Sequence, residues 1–212
     1  MSDRSASPEF RTPLHDLGLP ERAKAARNDN GIGVWAAETT GRGFMNLRGD
    51  LLDTKFSEAI KVALGGALPA EPCAFRSTSD ADVLWLSPDE WMIAGPRQHI
   101  KTLLANCQSS LHGVRGLATD NSSGYTEIHV SGQSAGAALA HCTLYNLHDL
   151  TPGRVVGTTF GKVQAFLRRD GDGVRLVVRR SFADYVWRFL ERASQPYGFG
   201  VVDAEIRRGR RS

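Results

Sequence analysis

The spacing of apolar and polar residues along the chain predicts an alternation of strands and helices. Strands are predicted where apolar and polar residues alternate, or where a short apolar run is bounded by glycine, proline or aspartate. These strands cover residues 32–38, 44–48, 81–86, 91–94, 125–130, 163–167, 174–178 and 199–202. Helices are predicted where apolar residues recur at three- and four-residue intervals. They cover residues 53–64, 96–107, 135–142 and 182–193.

The last of these helices has the most regular pattern. Its apolar positions, at helical spacing, are Phe182, Tyr185, Val186, Phe189, Leu190 and Ala193. Such a stripe predicts an amphipathic helix that packs on a core, and the segment Ser181–Asp184 is a candidate cap at its start. Trp187 and Phe189 are predicted to be structural residues of this helix.

Two short segments are predicted to reverse the direction of the chain. Residues 170–173 read Asp-Gly-Asp-Gly, and Asp-Gly steps favour a tight β-hairpin. Residues 87–90 read Ser-Pro-Asp-Glu, which has the form of a helix capping box. Because the apolar run 91–94 follows at once and ends at Gly95-Pro96, we expect a tight turn that returns as a strand.

The order of these elements predicts an α+β fold with largely antiparallel sheets and helices, arranged in two similar halves. One folded domain is expected over residues 31–203. Residues 1–30 contain three prolines and spaced leucines. They are predicted to form an extended N-terminal arm that stays loose or lies along a partner. Residues 204–212 form an Arg-rich tail.

The formal net charge of +3 resides in that tail. Residues 205–212 carry four arginines and one glutamate, and the rest of the chain holds 22 basic and 22 acidic side chains. Because a nucleic-acid-binding domain needs a basic folded surface, nucleic acid is not expected as a partner. The sequence also lacks an apolar run of roughly 20 residues for a membrane span and a signal-peptide pattern at its start. A soluble, cytoplasmic protein is therefore expected.

One segment matches a known catalytic pattern. Residues 132–136 read Gly-Gln-Ser-Ala-Gly, which fits the G-x-S-x-G nucleophile elbow between a predicted strand and helix. This chemistry needs an acid and then a histidine later in the chain, but His141 and His148 lie within or just past the same helix. A helical residue seven positions on lies about 10 Å along the axis, so neither histidine is expected to reach Ser134. We interpret the segment as a tight turn whose small residues permit close packing.

The remaining reactive side chains lead us to predict no catalytic, cofactor-binding or metal-binding residues in this chain. The six histidines lack the spacing of zinc ligands. The three cysteines are more than thirty residues apart and are expected to be free thiols. Two Gly-x-Gly segments, 31–33 and 41–43, are too short for a dinucleotide fingerprint. The acidic pair Asp89-Glu90 is interpreted as a capping device beside a core tryptophan, Trp91, and not as a cluster that faces a ligand or partner.

Four blocks of the sequence carry a resemblance to a known family. Residues 84–93 read LWLSPDEWMI and residues 178–190 read VRRSFADYVWRFL. Together with the stretches 119–139 and 146–167, these blocks resemble the gamma subunits of heterotetrameric sarcosine oxidase. The resemblance extends over about residues 32–198, and the block at 178–190 is its most specific part.

This resemblance implies a fold like the folate-binding domain of glycine-cleavage aminomethyltransferases. It also implies a non-catalytic structural subunit of a heterotetrameric complex that oxidatively demethylates sarcosine to glycine. Alpha, beta and delta subunits are then the expected partners. FAD, FMN, NAD and tetrahydrofolate are expected in those partner subunits, with no cofactor and no active site in this chain.

The sequence departs from the family pattern at residues 143–146. These read Thr-Leu-Tyr-Asn where the family often carries an aspartate. Related aminomethyltransferases use an aspartate in a comparable region to guide folate chemistry, so its absence argues against independent transferase activity. Two alternatives remain open. One is the corresponding subunit of N-methylglutamate dehydrogenase, and the other is a free-standing tetrahydrofolate-binding or aminomethyltransferase-like protein.

Overall fold

The computed structural model describes residues 11–26, 31–78 and 81–202, which form two β-sheets stacked face to face with helices on both outer surfaces. The predicted Arg-rich tail, 204–212, lies outside the described residues. The same holds for residues 1–10 of the predicted N-terminal arm.

The strands divide between a six-stranded and a five-stranded sheet. In chain order they are β1 (Val34–Thr39), β2 (Arg42–Gly49), β3 (Phe75–Ser77), β4 (Asp82–Ser87), β5 (Glu90–Pro96), β6 (Gly116–Asp120), β7 (Tyr125–Ser131), β8 (Val155–Phe160), β9 (Val163–Asp170), β10 (Gly173–Arg179) and β11 (Phe199–Val201). The larger sheet has the order β11-β1-β7-β10-β9-β8, and the smaller has the order β3-β4-β5-β2-β6. The short strand β11 pairs in parallel with β1, whereas the other neighbouring pairs are antiparallel.

Helices cover the outer face of each sheet. They are α1 (Leu19–Ala26), α2 (Thr54–Leu64), α3 (Arg97–Ser110), α4 (Ala135–Ala140) and α5 (Ala183–Ser194). Helices α4 and α5 pack on the six-stranded sheet, and α2 and α3 pack on the five-stranded sheet. Of the helices that the structure describes, none is long and apolar enough to cross a bilayer.

The apolar side chains form three layers. Trp187 of α5 lies fully buried in the layer between the six-stranded sheet and its helices. Trp91 of β5 is likewise fully buried beneath α2 and α3, and its indole N–H donates to the carbonyl of Pro69 at 2.9 Å. A smaller apolar cluster, which includes Phe44 and Val177, lies between the two sheets.

The predicted α+β class with largely antiparallel sheets is confirmed. Both predicted reversals are also confirmed, because β4 ends at Ser87 and β5 begins at Glu90, while β9 ends at Asp170 and β10 begins at Gly173. The pattern missed β3, β6 and β8. Each of the three lies at the edge of a sheet. An edge strand has a neighbouring strand on one side only, and in these three the alternation of apolar and polar residues is weak.

Helix α5 packs on the core as predicted, but the face that it buries is rotated away from part of the predicted stripe. Its buried residues are Ala183, Val186, Trp187, Leu190 and Ser194. Phe182 and Tyr185, predicted on the core face, are instead exposed. The predicted cap at Ser181 is wrong as well, because the N-cap residue is Phe182 and Asp184 pairs with Arg188. Apolar side chains surround much of this helix, so periodicity alone did not select the stripe that the sheet would bury.

The described part of the N-terminal arm is folded onto its own chain, and the prediction that it is extended is wrong. This segment, residues 11–26, is called the N-terminal strap. It contains a 3-10 turn and α1. Leu14 is 1% exposed and lies in the core of the six-stranded sheet with Ala23. Arg22 donates to Glu191 of α5 at 2.6 Å. Apolar anchors and the ion pair between Arg22 and Glu191 therefore hold the strap against its own chain.

Candidate functional site

Charged side chains are buried between the two sheets, where an apolar layer would be the default. The six members of this inter-sheet ion network are Arg42, Asp82, Glu127, Arg168, Asp170 and Arg175. Two of them come from the five-stranded sheet and four from the six-stranded sheet. They are the strongest concentration of chemically active groups that the described residues offer.

Strand alternation explains why these side chains meet. In β7, Ile128 and Val130 pack toward the helices, so Glu127 points the opposite way, toward the five-stranded sheet. In β10, Arg175 has the same orientation and lies opposite Arg168 of β9 in the strand register. The sheet therefore delivers a carboxylate and two guanidinium groups to one small region.

Two hydrogen bonds of the network cross from one sheet to the other, Arg168 to Asp82 and Arg42 to Glu127, and the others lie within a sheet. Arg168 Nη2 donates to Asp82 Oδ2 at 2.6 Å, and Arg42 Nη2 donates to the same oxygen at 2.8 Å. Glu127 accepts from Arg175 Nη1 at 2.6 Å and from Arg42 Nη2 at 3.4 Å. Short charge-assisted bonds are stronger than neutral ones, and the bond from Arg168 to Asp82 is the short one that links the two sheets.

The charges of the network balance, with three guanidinium groups and three carboxylates. Arg175 Nε also donates to Asp170 at 2.7 Å. Burial by itself would raise the pKa of Glu127, but the charges of Arg42, Arg175 and Arg168 outweigh burial and hold this pKa below its usual value. Glu127 is 0% exposed, so its ionised form depends entirely on the neighbouring arginines.

This arrangement favours a structural role over a catalytic one. A general base works best with a pKa near the operating pH and an acceptor that faces the substrate. Glu127 has a lowered pKa, and its carboxylate is turned toward three arginines. The network therefore fixes the position of one sheet against the other.

The ion network was not predicted from the sequence. One signal was present, because Glu127 and Arg175 are single charged residues within otherwise apolar strand patterns. Such a residue is either exposed on an open sheet face or buried with a partner. Only the stacking of the two sheets shows that it is buried here.

A second buried acid, Glu38 of β1, lies at the end of the sheet beneath the N-terminal strap. Burial raises its pKa, although hydrogen bonds from Thr12, Thr126 and the backbone of Leu14, together with the charge of Arg180, act in the opposite direction. The hydroxyl of Thr126 donates to Glu38 at 3.2 Å. The strap thus supplies part of the polar surroundings of a carboxyl group that it also shields from water.

A small cleft lies next to Glu38. Its volume is about 20 Å³, and its lining includes Thr12 and Pro13 of the strap together with Arg42, Tyr125 and Arg180. A single water molecule needs at least about 10–15 Å³, so the cleft has room for about one. It is far too small for a cofactor.

The G-x-S-x-G segment is the tight turn that was predicted. Gly132 has a φ of 111°, and a Cβ there would lie 2.5 Å from the carbonyl oxygen of Gly33. The backbone N–H of Ser134 donates to that same carbonyl at 2.9 Å. His141 lies 3.4 Å from the hydroxyl of Tyr197. The turn therefore joins β7 to α4 by close backbone packing.

The acidic pair beside Trp91 also has a structural explanation. Asp89 lies in the β4–β5 turn, where it accepts from the hydroxyl of Ser87 at 2.7 Å and from Arg48 Nη2 at 2.9 Å. These hydrogen bonds lower the pKa of Asp89. Glu90 accepts from the side-chain amide of Asn46 at 2.6 Å. The pair caps a hairpin turn, and not a helix.

The described residues show no cluster of three or more His, Cys, Asp or Glu side chains that could hold a metal ion. All three cysteines, Cys73, Cys107 and Cys142, are free thiols. Burial raises the pKa of Cys107 to about 11 and that of Cys142 to about 12. Both are therefore protonated and poorly nucleophilic at neutral pH.

Comparison with protein families identifies the family of this chain. The model described as "Sarcosine oxidase, gamma subunit family" matches residues 48–196, which extend from β2 to the end of α5. The chain belongs to this family. The predicted family relationship is thereby confirmed, and the match includes the hairpin around Trp91 and the helix of Trp187.

A curated relative of this gamma-family chain is the sarcosine oxidase subunit gamma of Corynebacterium sp. (strain U-96). It is 27% identical over 148 residues, which are 68% of this chain and 71% of the relative. A chain of the heterotetrameric sarcosine oxidase from Corynebacterium sp. U-96, solved with pyrrole 2-carboxylate, superposes with a TM-score of 0.79. It is 23% identical, and the match covers 89% of this chain and 96% of that one.

The predicted likeness to aminomethyltransferases is confirmed at the level of the fold. The glycine cleavage system aminomethyltransferase T from Bartonella henselae superposes on the gamma-family chain with a TM-score of 0.64 at 13% identity. The match covers 92% of this chain and 60% of that protein. At this identity the comparison shows a shared architecture alone.

Proposed function

We propose that this protein is a non-catalytic structural subunit of a heterotetrameric sarcosine oxidase, a complex that oxidatively demethylates sarcosine to glycine. The observation that carries the proposal is the family match over residues 48–196. The inter-sheet ion network supports the non-catalytic part, because its carboxylates are committed to arginines and its position is buried.

The proposal includes the other members of the complex. Alpha, beta and delta subunits would be the partners, and the cytoplasm would be the site of assembly. FAD, FMN, NAD and tetrahydrofolate would be bound in those partner subunits. This chain would contribute its surface to the assembly and would leave the chemistry to the flavin-bearing chains.

The cleft beneath the strap bears on tetrahydrofolate, the ligand that the likeness to aminomethyltransferases would bring to this fold. A pocket for a ligand of that kind has a volume of roughly 300–1,000 Å³, whereas the cleft beneath the strap has about 20 Å³. The layer between the sheets is filled by the ion network and by an apolar cluster. We therefore propose that this chain binds no folate. Calorimetric binding of tetrahydrofolate at micromolar concentration would contradict this.

Purification of the tagged, full-length chain from its native host tests the subunit proposal. We expect a yellow complex that contains flavoprotein subunits in fixed ratio and oxidises sarcosine. A chain that elutes alone and colourless, from cells that actively oxidise sarcosine, would refute the proposal. The same complex should be assayed with N-methylglutamate, because faster turnover of that substrate would assign the chain to N-methylglutamate dehydrogenase.

A further inference from the structure

One face of α5 presents aromatic side chains to solvent. Phe182 is 46% exposed, Tyr185 is 36% exposed, and Phe189 follows one turn later and is half-buried. Leu144 is 96% exposed. It follows Thr143, which forms a β-bridge with Phe160 beside the same helix. We call Phe182, Tyr185 and Phe189 the aromatic face. Contiguous exposed apolar groups of this kind mark interaction surfaces.

The rings of the aromatic face are held in fixed positions. Tyr185 stacks on Phe189 with ring centroids 5.9 Å apart and planes 10° apart. Phe189 in turn meets the fully buried Phe160 edge to face at 6.1 Å. The backbone N–H of Lys162 donates to the Tyr185 hydroxyl at 3.2 Å, and Gly161, at a φ of 58°, leaves room for that hydroxyl and for the Phe189 ring. Rings that are already ordered lose little entropy on binding, which is a property of interface anchors.

The charged residues at the border of this face indicate the kind of partner. Lys162 and Arg192 are exposed cations, and Arg192 lies one helical repeat from Tyr185 and so on the same side. Asp184 and Arg188 neutralise each other at 2.9 Å. The border is therefore net positive. In a symmetric dimer, two such borders would face each other and repel. A non-identical chain with carboxylates around an apolar cleft fits better.

We propose that the aromatic face is the docking surface for a different subunit of the complex, one that presents an apolar cleft bordered by acidic residues. This inference rests on the proposed function, since it presumes that the chain assembles with other subunits. It adds which surface of this chain contacts the partner and which chemical groups the partner's surface must carry.

The test compares two matched double variants in the native host. Phe182→Ser with Tyr185→Ser removes the aromatic face, and Leu52→Ser with Val62→Ser removes two even more exposed apolar residues near and on α2. The measurement is the ratio of tagged chain in the flavin-absorbing complex to free chain, obtained by size-exclusion chromatography with mass photometry. We expect the first variant to lower this ratio at least about tenfold and the second to leave it unchanged.

A charge reversal keeps the test valid if the serine variant folds poorly. Lys162→Glu leaves the aromatic packing intact and should weaken assembly, with the largest effect at low salt. Lys55→Glu, an exposed lysine of α2, is its control. A Lys162→Glu chain that assembles like the wild type, at low and at high salt, would count against an acidic partner surface.

Three outcomes separate the two proposals. If the wild-type chain never enters a larger complex, the proposed function is refuted. If the wild-type chain and the Phe182→Ser, Tyr185→Ser variant assemble equally well, only the aromatic face is refuted. If the isolated wild-type chain dimerises and that variant is monomeric, the occupant is a second copy of this chain and the inference is wrong.

Discussion

Removal of the Glu127 charge should lower the stability of the protein far more than removal of an exposed charge. In Glu127→Gln the side chain keeps its shape, but Arg42, Arg168 and Arg175 then face only two carboxylates. Glu127 is 0% exposed and accepts from Arg175 at 2.6 Å. Breaking a buried ion pair by removing one partner costs about 3–5 kcal/mol, because the remaining charge is left uncompensated.

The matched control is Glu191→Gln, which removes the carboxylate of a surface pair. Glu191 accepts from Arg22 at the same distance of 2.6 Å, but its side chain is 38% exposed. Solvent-screened pairs of this kind contribute about 0–1 kcal/mol. Urea denaturation followed by circular dichroism measures the free energy of unfolding of both variants. Losses of similar size in the two variants would refute the argument that burial makes the network essential.

The same carboxylate predicts a dependence on pH. The pKa of Glu127 is lowered from its usual value of 4.5 in the folded protein. Its contribution to stability is therefore present above pH 4.5 and is lost as the pH falls through the folded pKa. We expect the wild type to lose stability over this acidic range more steeply than Glu127→Gln. Parallel pH profiles of the two proteins would show that Glu127 is not ionised in the fold.

Three further predictions follow from buried residues outside the network. Trp187→Ala should cost about 3–5 kcal/mol of unfolding free energy, because the Trp187 side chain is 0% exposed. Phe189→Ala should cost less, because Phe189 is half-buried. Equal losses of the two variants in thermal or urea unfolding would contradict the observed face of α5. Leu14→Ala should cost about 2–5 kcal/mol of unfolding free energy, whereas Leu52→Ala, at an exposed position, should cost less than about 0.5 kcal/mol. Equal urea midpoints of the two variants would show that the strap does not anchor the fold. Because the pKa of Glu38 is raised above 4.5, its stabilising effect is present below pH 4.5 and lost as the pH rises through the folded pKa. The stability of Glu38→Gln relative to the wild type should therefore increase over that range, and a constant difference would contradict the raised pKa.

The local patterns of the sequence were sufficient for the class of the fold. Alternating apolar residues predicted most of the central strands, since a strand that lies between two layers must alternate or be apolar throughout. The turn at Ser87–Glu90 was predicted correctly because the apolar run after it is too short for a helix. The blocks that resemble the family, above all residues 178–190, could also be recognised in the sequence, because such a resemblance depends on residue identities and not on contacts.

The ion network and the exposed aromatic residues follow from the tertiary structure. Apart from Arg175 and Asp170, the hydrogen-bonded partners in the ion network lie 40–86 residues apart in the chain, so no local pattern connects Arg42 to Glu127 or Arg168 to Asp82. Periodicity identifies the apolar stripes of α5, but only the sheet beneath it selects Trp187 for the core and leaves Tyr185 in solvent. Local patterns in the amino-acid sequence were enough to predict most of the strands and helices and the family resemblance. The stacking of two sheets determined which charges are buried and which aromatic residues remain exposed, because burial depends on contacts between segments that are distant in the chain.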